Sequence, residues 1–370
     1  MQAVDNCQNI NCIYTNSSVG GGNRKRNSSV ELFRILATFL VLIVHLNGWM
    51  AGGLVEWNNG DIPMVHKVSQ LIIQSLCVVC VNCFLVISGW FGLKLKFASL
   101  WKMWVLLVSI YVPFYLASCI FGKTDFSIIY FAKIMLAFPC ESYFVQNYIM
   151  LMFISPVLNA FIEYKKEYLT LFSISLFVIE VLMESIFHNK CLHIEEGYSL
   201  FHFVMMYMLA RTAYIHKEKI MSVKKQWWIL GYFICATVVC LLHFTPYEHN
   251  WAYSNPVVII ESFMLFFPFL YCSFQNRIVN WIAGGTFAVY IIQVTSPVTG
   301  LLFKYDQYAV ENLPYTSYLP LMLLFSFAFF ACSLVYNEIM QRIVRVLTNP
   351  LGQYFNCKLN KLINTFNTIQ

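Results

Sequence analysis

Charge is scarce in this 370-residue chain. Only 11% of its residues are Asp, Glu, Lys or Arg, less than half of the roughly 25% usual in soluble domains. That scarcity excludes a soluble enzyme, a disordered protein and a nucleic-acid binder built on a basic face. A cleavable leader is not expected either: the first 22 residues are rich in Asn, Ser and Gly, with no basic start and no apolar stretch. No internal repeat of the transporter kind is visible. There are thirteen cysteines, but most fall inside apolar stretches, where Cys behaves as a small hydrophobe. Cys77, Cys80 and Cys83 are spaced by three, with no His or carboxylate at a neighbouring ligand spacing, so no metal site is expected. Cys140 and Cys191 fall in loops that an oxidising compartment would allow to pair.

What the chain has in abundance is hydrocarbon. Hydrophobic residues make up 59% and the mean hydropathy is +0.63. A bilayer core about 30 Å thick needs roughly 20 apolar residues per helix. Ten such stretches are found, at 30–50, 67–91, 100–121, 143–162, 168–187, 198–216, 226–243, 254–274, 278–303 and 317–340. The expected fold is an all-α polytopic membrane protein of about ten transmembrane helices. Phe126 to Phe138 is too short to span, carries Lys133 and stops at Pro139, which reads as a re-entrant or interfacial helix. With both termini cytoplasmic, 18 of the 24 lysines and arginines lie inside and 5 outside, with Arg34 in the first span. This split follows the positive-inside rule. It assigns the net charge of +6 to anionic lipid headgroups rather than to nucleic acid. Three regions follow: a flexible cytoplasmic tail over 1–29, a transmembrane domain over 30–340, and a basic amphipathic tail over 341–370 on the cytoplasmic face.

Ionisable groups inside a span are costly and point to function. The first span holds two, Arg34 and His45. Eleven steps at 100° each give about 1100°, about 20° past three full turns, so both side chains share one face about 16 Å apart along the axis. Arg34 sits near the cytoplasmic surface and His45 lies past the middle of the span. Arg offers phosphate a permanent charge and a fork of donors, and a neutral imidazole can take a proton from a hydroxyl. Coenzyme A matches this layout, with phosphates at one end and a thioester on a long thin arm. The plainer readings are a snorkelling Arg paired with Glu31 three residues earlier and a buried hydrogen-bonding His.

The pattern Glu31-x-x-Arg34-(x10)-His45 resembles the acyltransferase-3 family of integral membrane O-acyltransferases. Three further segments are similar to that family's: Phe84 to Ser88-Gly89 at the end of the second span, Tyr143 to Tyr148 and Ser155-Pro156 on the fourth, and Thr286 to Tyr290 and Gln293 on the ninth. Gln293 stands where the family commonly has His, which puts a proton-transfer role at that position in doubt. The resemblance runs from about Val30 to Arg345. It implies transfer of an acyl group, commonly acetyl from acetyl-CoA, to a hydroxyl of a surface polysaccharide or lipid-linked glycan. It implies His45 as the catalytic residue and Arg34 as a donor-binding one, with Glu31, Tyr148 and Tyr290 in support. Since the chain stops soon after the tenth span, the transfer is completed by the chain itself, as monomer or homo-oligomer, or by a separate extracytoplasmic acyl-transfer partner. A cytosolic donor suggests a bacterial inner membrane.

The remaining polar residues stay ambiguous. Ser88 and Gly89 would admit a donor ligand or mark a close helix crossing. Arg211 would contact donor phosphates or only obey the positive-inside rule. Glu180 and Glu184 form an acidic stripe that would bind an acceptor hydroxyl or face a wet cavity, and His202 and Glu261 are similar cases. The reading from a different class is a proton-coupled secondary transporter of a small amphiphile, in which the buried His and carboxylates relay protons.

Overall fold

The computed structural model describes residues 27–49, 62–136, 142–187, 195–247 and 249–367, with side chains followed only to Val344 in the last helix. Both Cys140 and Cys191, Pro139 and the tail before Asn27 lie outside the described residues. Among the described residues the secondary structure is entirely helical. We number the helices α1 (Ser28–Val44), α2 (Met64–Cys77), α3 (Cys80–Phe91), α4 (Phe97–Ile120), α5 (Ile128–Met135), α6 (Tyr143–Tyr164), α7 (Lys166–Glu180), α8 (Leu200–Ile215), α9 (Lys217–Ser222), α10 (Lys225–Leu242), α11 (Pro256–Leu270), α12 (Arg277–Val294), α13 (Ser296–Asn312) and α14 (Tyr315–Asn367).

Short polar residues start these helices where the orphan amides need partners. The Asn27 side chain accepts from Ser29 N, that of Ser127 from Tyr130 N, and that of Asn276 from Ile278 N and Val279 N. Asn255 accepts from Val257 N, with Pro256 at the first helical position, where the missing N–H costs nothing.

Among the described residues seven helices are long and apolar enough to cross a membrane. They correspond to expected spans one to four, seven, nine and ten. The other three are shorter or interrupted: α8 and α11 are apolar helices under 18 residues, and α7 passes into a π-helical stretch, Val181–Ile186. The second span is broken into α2 and α3 by a turn at Val78 and Val79, within an apolar run that carries no breaking residue. The tenth runs on without interruption, so that α14 reaches Asn367 rather than stopping near 340. The first two spans form the centre, with 61% and 72% of their most apolar windows buried, against 11% for α10 at the rim. Around α1 pack α3, α11 and α12, and α8 covers the far side of α3.

The short helix α5 folds back along α4. At its start, Ser127 N donates to Tyr115 Oη at 2.7 Å, and at its end Trp104 Nε1 donates to the Met135 carbonyl at 2.9 Å. Tyr115 and Trp104 are eleven residues apart on α4, so α5 returns over about three turns of it.

Candidate functional site

Glu31 and Arg34 lie on α1, and His45 directly follows its last residue. Arg34 Nη1 meets Glu31 Oε2 at 2.5 Å, one turn back, with Glu31 largely covered and Arg34 about one-third exposed. At His45 the helix changes: residues His45–Trp49 form a π turn. Such a turn misaligns backbone groups, which then need other partners. Here α2 supplies them. Gln70 Nε2 donates to the Asn47 carbonyl at 2.7 Å, and Asn47 Nδ2 donates to the Gln70 carbonyl and to Gln74 Oε1 at 3.0 and 3.1 Å. Tyr318 Oη donates to the Leu46 carbonyl. The segment carrying His45 is thereby clamped to α2 and α14, and His45 itself is only partly buried.

A cavity of about 1120 Å³ opens beside Arg34. Its walls come from α1, α3, α4, α12 and α14, and from Phe144 and Tyr148 of α6. Its cations are Arg34 and Lys102, the latter missed by sequence reasoning because it looked like one more positive-inside charge. Ser88, Tyr148 and Tyr290 all face it. Ser88 Oγ donates to the Phe84 carbonyl at 2.7 Å and lies 3.2 Å from Tyr148 Oη. Tyr290 Oη pairs with Ser142 Oγ at 2.6 Å. These bonds fix the hydroxyls in the wall rather than leaving them to rotate.

The cavity stops short of His45. Its deepest residue on α1 is Val41, four residues before His45, and its deepest on α12 is Tyr290, three before Gln293. The Gln293 side chain meets the His45 imidazole and is fully buried. Beyond that contact neither polar atom of its carboxamide has a hydrogen-bond partner in the protein. On both helices the His45–Gln293 level therefore lies about one turn, roughly 5 Å, past the end of the cavity.

Other expected site residues lie elsewhere. Gly89 does not face the cavity. A Cβ there would come within 2.5 Å of Ala210 Cβ and 2.6 Å of the Tyr207 carbonyl, so this glycine serves a close crossing of α3 with α8. Arg211 is also off the cavity wall. It donates to the Trp90 carbonyl at 3.3 Å and stacks its guanidinium over Tyr214 at 5.0 Å, which braces the end of α3.

Glu180 and Glu184 do not line this cavity. Glu180 Oε1 sits 2.6 Å from His202 Nδ1, and both side chains are fully buried. The other ring nitrogen, Nε2, sits 2.8 Å from Asn82 Oδ1. Asn82 Nδ2 donates to the Tyr253 carbonyl at 2.8 Å. That bond turns the Asn82 oxygen toward His202, so Nε2 must carry a proton. The chain of contacts ties α3, α7, α8 and the loop before α11. Glu184 accepts from the backbone N of Glu196 and anchors the segment before α8, in which Glu196 and Gly197 take positive φ. Glu261 is fully buried on α11 and does not line the cavity.

Comparison with known proteins bears on this arrangement. A family model described as an acyltransferase domain, that of acyltransferase-3, matches residues 27–337, which spans α1 through the crossing part of α14. No curated protein and no solved structure matches the chain.

Proposed function

Because the chain belongs to the acyltransferase-3 family and is a membrane acyltransferase, we propose that it transfers acetyl from cytosolic acetyl-CoA to a hydroxyl of a surface polysaccharide or lipid-linked glycan. The observation that carries this reading is the cavity itself: its wall holds two cations, Arg34 and Lys102, against one carboxylate, Glu338, is otherwise largely aromatic and apolar, and ends about one helical turn short of His45. A donor with phosphates at Arg34 and Lys102 would extend its thin arm between Phe84, Tyr148 and Tyr290 toward the imidazole. The Glu31 carboxylate holds the Arg34 guanidinium in place through a charge-assisted hydrogen bond. Its negative charge also lowers the local attraction for phosphate, so Lys102 supplies part of the field.

In the direct route, His45 takes the proton of the acceptor hydroxyl as its oxygen bonds to the thioester carbonyl carbon. The C–S bond then breaks, the acyl group stays on the acceptor oxygen, and the proton passes from His45 to the departing CoA sulfur. The π turn aims the imidazole, and the Gln293 carboxamide restrains its ring. An acetyl-His45 intermediate is the competing route. We place the Arg34 end of the bundle in the cytoplasm on the distribution of Lys and Arg, with ten crossings and a bacterial inner membrane as the setting. Membership of an acyltransferase family weighs against the proton-coupled transporter.

The test is acetyl-CoA turnover by the purified chain in nanodiscs with a lipid-linked saccharide extract. Release of CoA by wild type and its loss in His45→Ala support the reading. An active preparation that releases acceptor-dependent CoA equally well without His45 would remove it.

A further inference from the structure

A second pocket opens at the other end of the same helices. Helix α4 gives Ala98 to Leu106 to the donor cavity and Tyr111 to Ser118 to this one, while α12 ends and Thr295 takes over its wall. We propose that this pocket receives the hydroxylated acceptor and presents its nucleophilic oxygen to His45 from the side opposite the donor. The proposal rests on the acyl-transfer reading above and deepens it.

The lining chemistry differs in kind from that of the donor cavity. Nine of the eleven lining residues carry a hydroxyl or a carboxyl, and none carries a positive charge. Three are tyrosines, Tyr111, Tyr115 and Tyr130, whose rings offer flat apolar faces with polar rims. Asp125 contributes an exposed carboxylate, an acceptor for donated hydroxyls. A phosphate or a CoA would find no cation here, and an acyl chain would meet polar walls. A sugar ring, with apolar faces and several hydroxyls, fits both features. The volume is about 340 Å³, near the lower end of the roughly 300–1,000 Å³ typical of small-molecule sites, which admits one or two rings rather than a polymer. The walls are braced: Tyr115 Oη accepts from Ser127 N at 2.7 Å, which seats the start of α5 against α4.

Position connects this pocket to the chemistry. Thr295 is two residues past Gln293, so their Cα atoms lie within about 7 Å. Thr299 Oγ1 donates to the Gln293 carbonyl at 2.9 Å, which ties the start of α13 to the residue that meets His45. The π turn bearing His45 packs against α13 as well. His45 and Gln293 thus stand between two openings, one suited to an anionic thioester and one to a neutral polyhydroxylated ring.

The experiment uses the full chain in nanodiscs, labelled acetyl-CoA and a mixed lipid-linked saccharide extract as the acceptor probe. Two variants change the pocket at exposed positions, where folding has little at stake. Ser296→Trp fills the mouth with an indole, and Asp125→Asn removes the carboxylate charge. Each should raise the extract concentration for half-maximal transfer, by about tenfold for the first and about threefold for the second, the latter being the scale of one partly exposed charge-assisted hydrogen bond. The Kd for acetyl-CoA should stay within about twofold, since neither residue touches the donor cavity. Transfer whose dependence on extract is unchanged in both variants would overturn the proposal, as would a loss that follows donor Kd. Wild type that binds acetyl-CoA but labels nothing in the extract would instead sink the transfer reading on which the proposal rests.

Discussion

Replacing Arg34 should separate donor binding from chemistry. Its guanidinium lines the cavity, is about one-third exposed and is already engaged by Glu31 at 2.5 Å. A hydrogen bond to a charged group contributes about 1.5–3 kcal/mol when well sheltered. Solvent screening at this exposure and the competing carboxylate put Arg34 at the low end, about 1.4 kcal/mol, or tenfold in Kd. Arg34→Ala should therefore raise the Kd for acetyl-CoA about tenfold and not abolish binding, because Lys102 remains in the wall. Arg34→Lys keeps the charge but loses the fork, and should cost about threefold. Because Arg34 lies about 16 Å along the axis from His45, kcat at saturating donor should change little in either variant. Added salt should weaken the wild type more than Arg34→Ala, since the lost contact is the screened one. The assay is equilibrium binding of labelled acetyl-CoA to the chain in nanodiscs at two salt concentrations, paired with initial rates. An Arg34→Ala protein with unchanged Kd and a collapsed kcat would refute the reasoning, for it would put Arg34 at the reacting centre and not at the phosphates.

Other expectations follow from the packing. Gly89→Ala places a methyl about 2.5 Å from Ala210 Cβ. It should lower the thermal midpoint in detergent by forcing α3 and α8 apart, at about 1–3 kcal/mol for an overpacked contact. His202→Ala leaves Glu180 buried without its partner, a change of about 3–5 kcal/mol, and should yield chain that aggregates on size-exclusion after extraction. The paired replacement Glu180→Leu with His202→Leu should recover part of that loss, and failure to recover any would argue that the pair does more than hold helices. Gln70→Ala removes the donor to the Asn47 carbonyl and should lower kcat while leaving acetyl-CoA Kd unchanged. A matching rise in Kd would show that the π turn shapes the donor cavity instead of aiming His45.

The parts of this molecule that depend on a single helix were legible in its residues. The Arg34-to-His45 spacing holds because an α-helix repeats at a fixed angle, and α1 keeps that angle up to His45. The short α5 was legible because too few apolar residues are available to cross. What was not legible depends on contacts between distant segments. Nothing local announces the π turn at His45; its partners, Gln70 and Tyr318, come from α2 and α14. Gly89 was balanced between ligand approach and helix crossing until Tyr207 and Ala210 were seen against it. Arg211 and Lys102 carry the same charge near the same end of the bundle, and only the fold sends one to the Trp90 carbonyl and the other to the cavity wall. Glu180 and Glu184 looked like one acidic stripe at i and i+4. Glu180 ends α7 while Glu184 sits within the π stretch Val181–Ile186, and each finds a different partner.

The thinness of the layer around His45 and Gln293 has an electrical consequence. On the acyl-transfer reading, with donor and acceptor entering from opposite faces, a transmembrane voltage falls mainly over the short stretch between the two cavities. A charge that crosses that stretch experiences nearly the whole drop, about 2.3 kcal/mol for each 100 mV. If the proton taken up at His45 leaves on the CoA sulfur, the acyl group and the proton move in opposite directions, each side keeps its charge, and turnover is indifferent to voltage. If it returns to the face from which it came, the CoA departs as a thiolate, each acetyl transferred moves one charge, and the membrane potential acts on the rate.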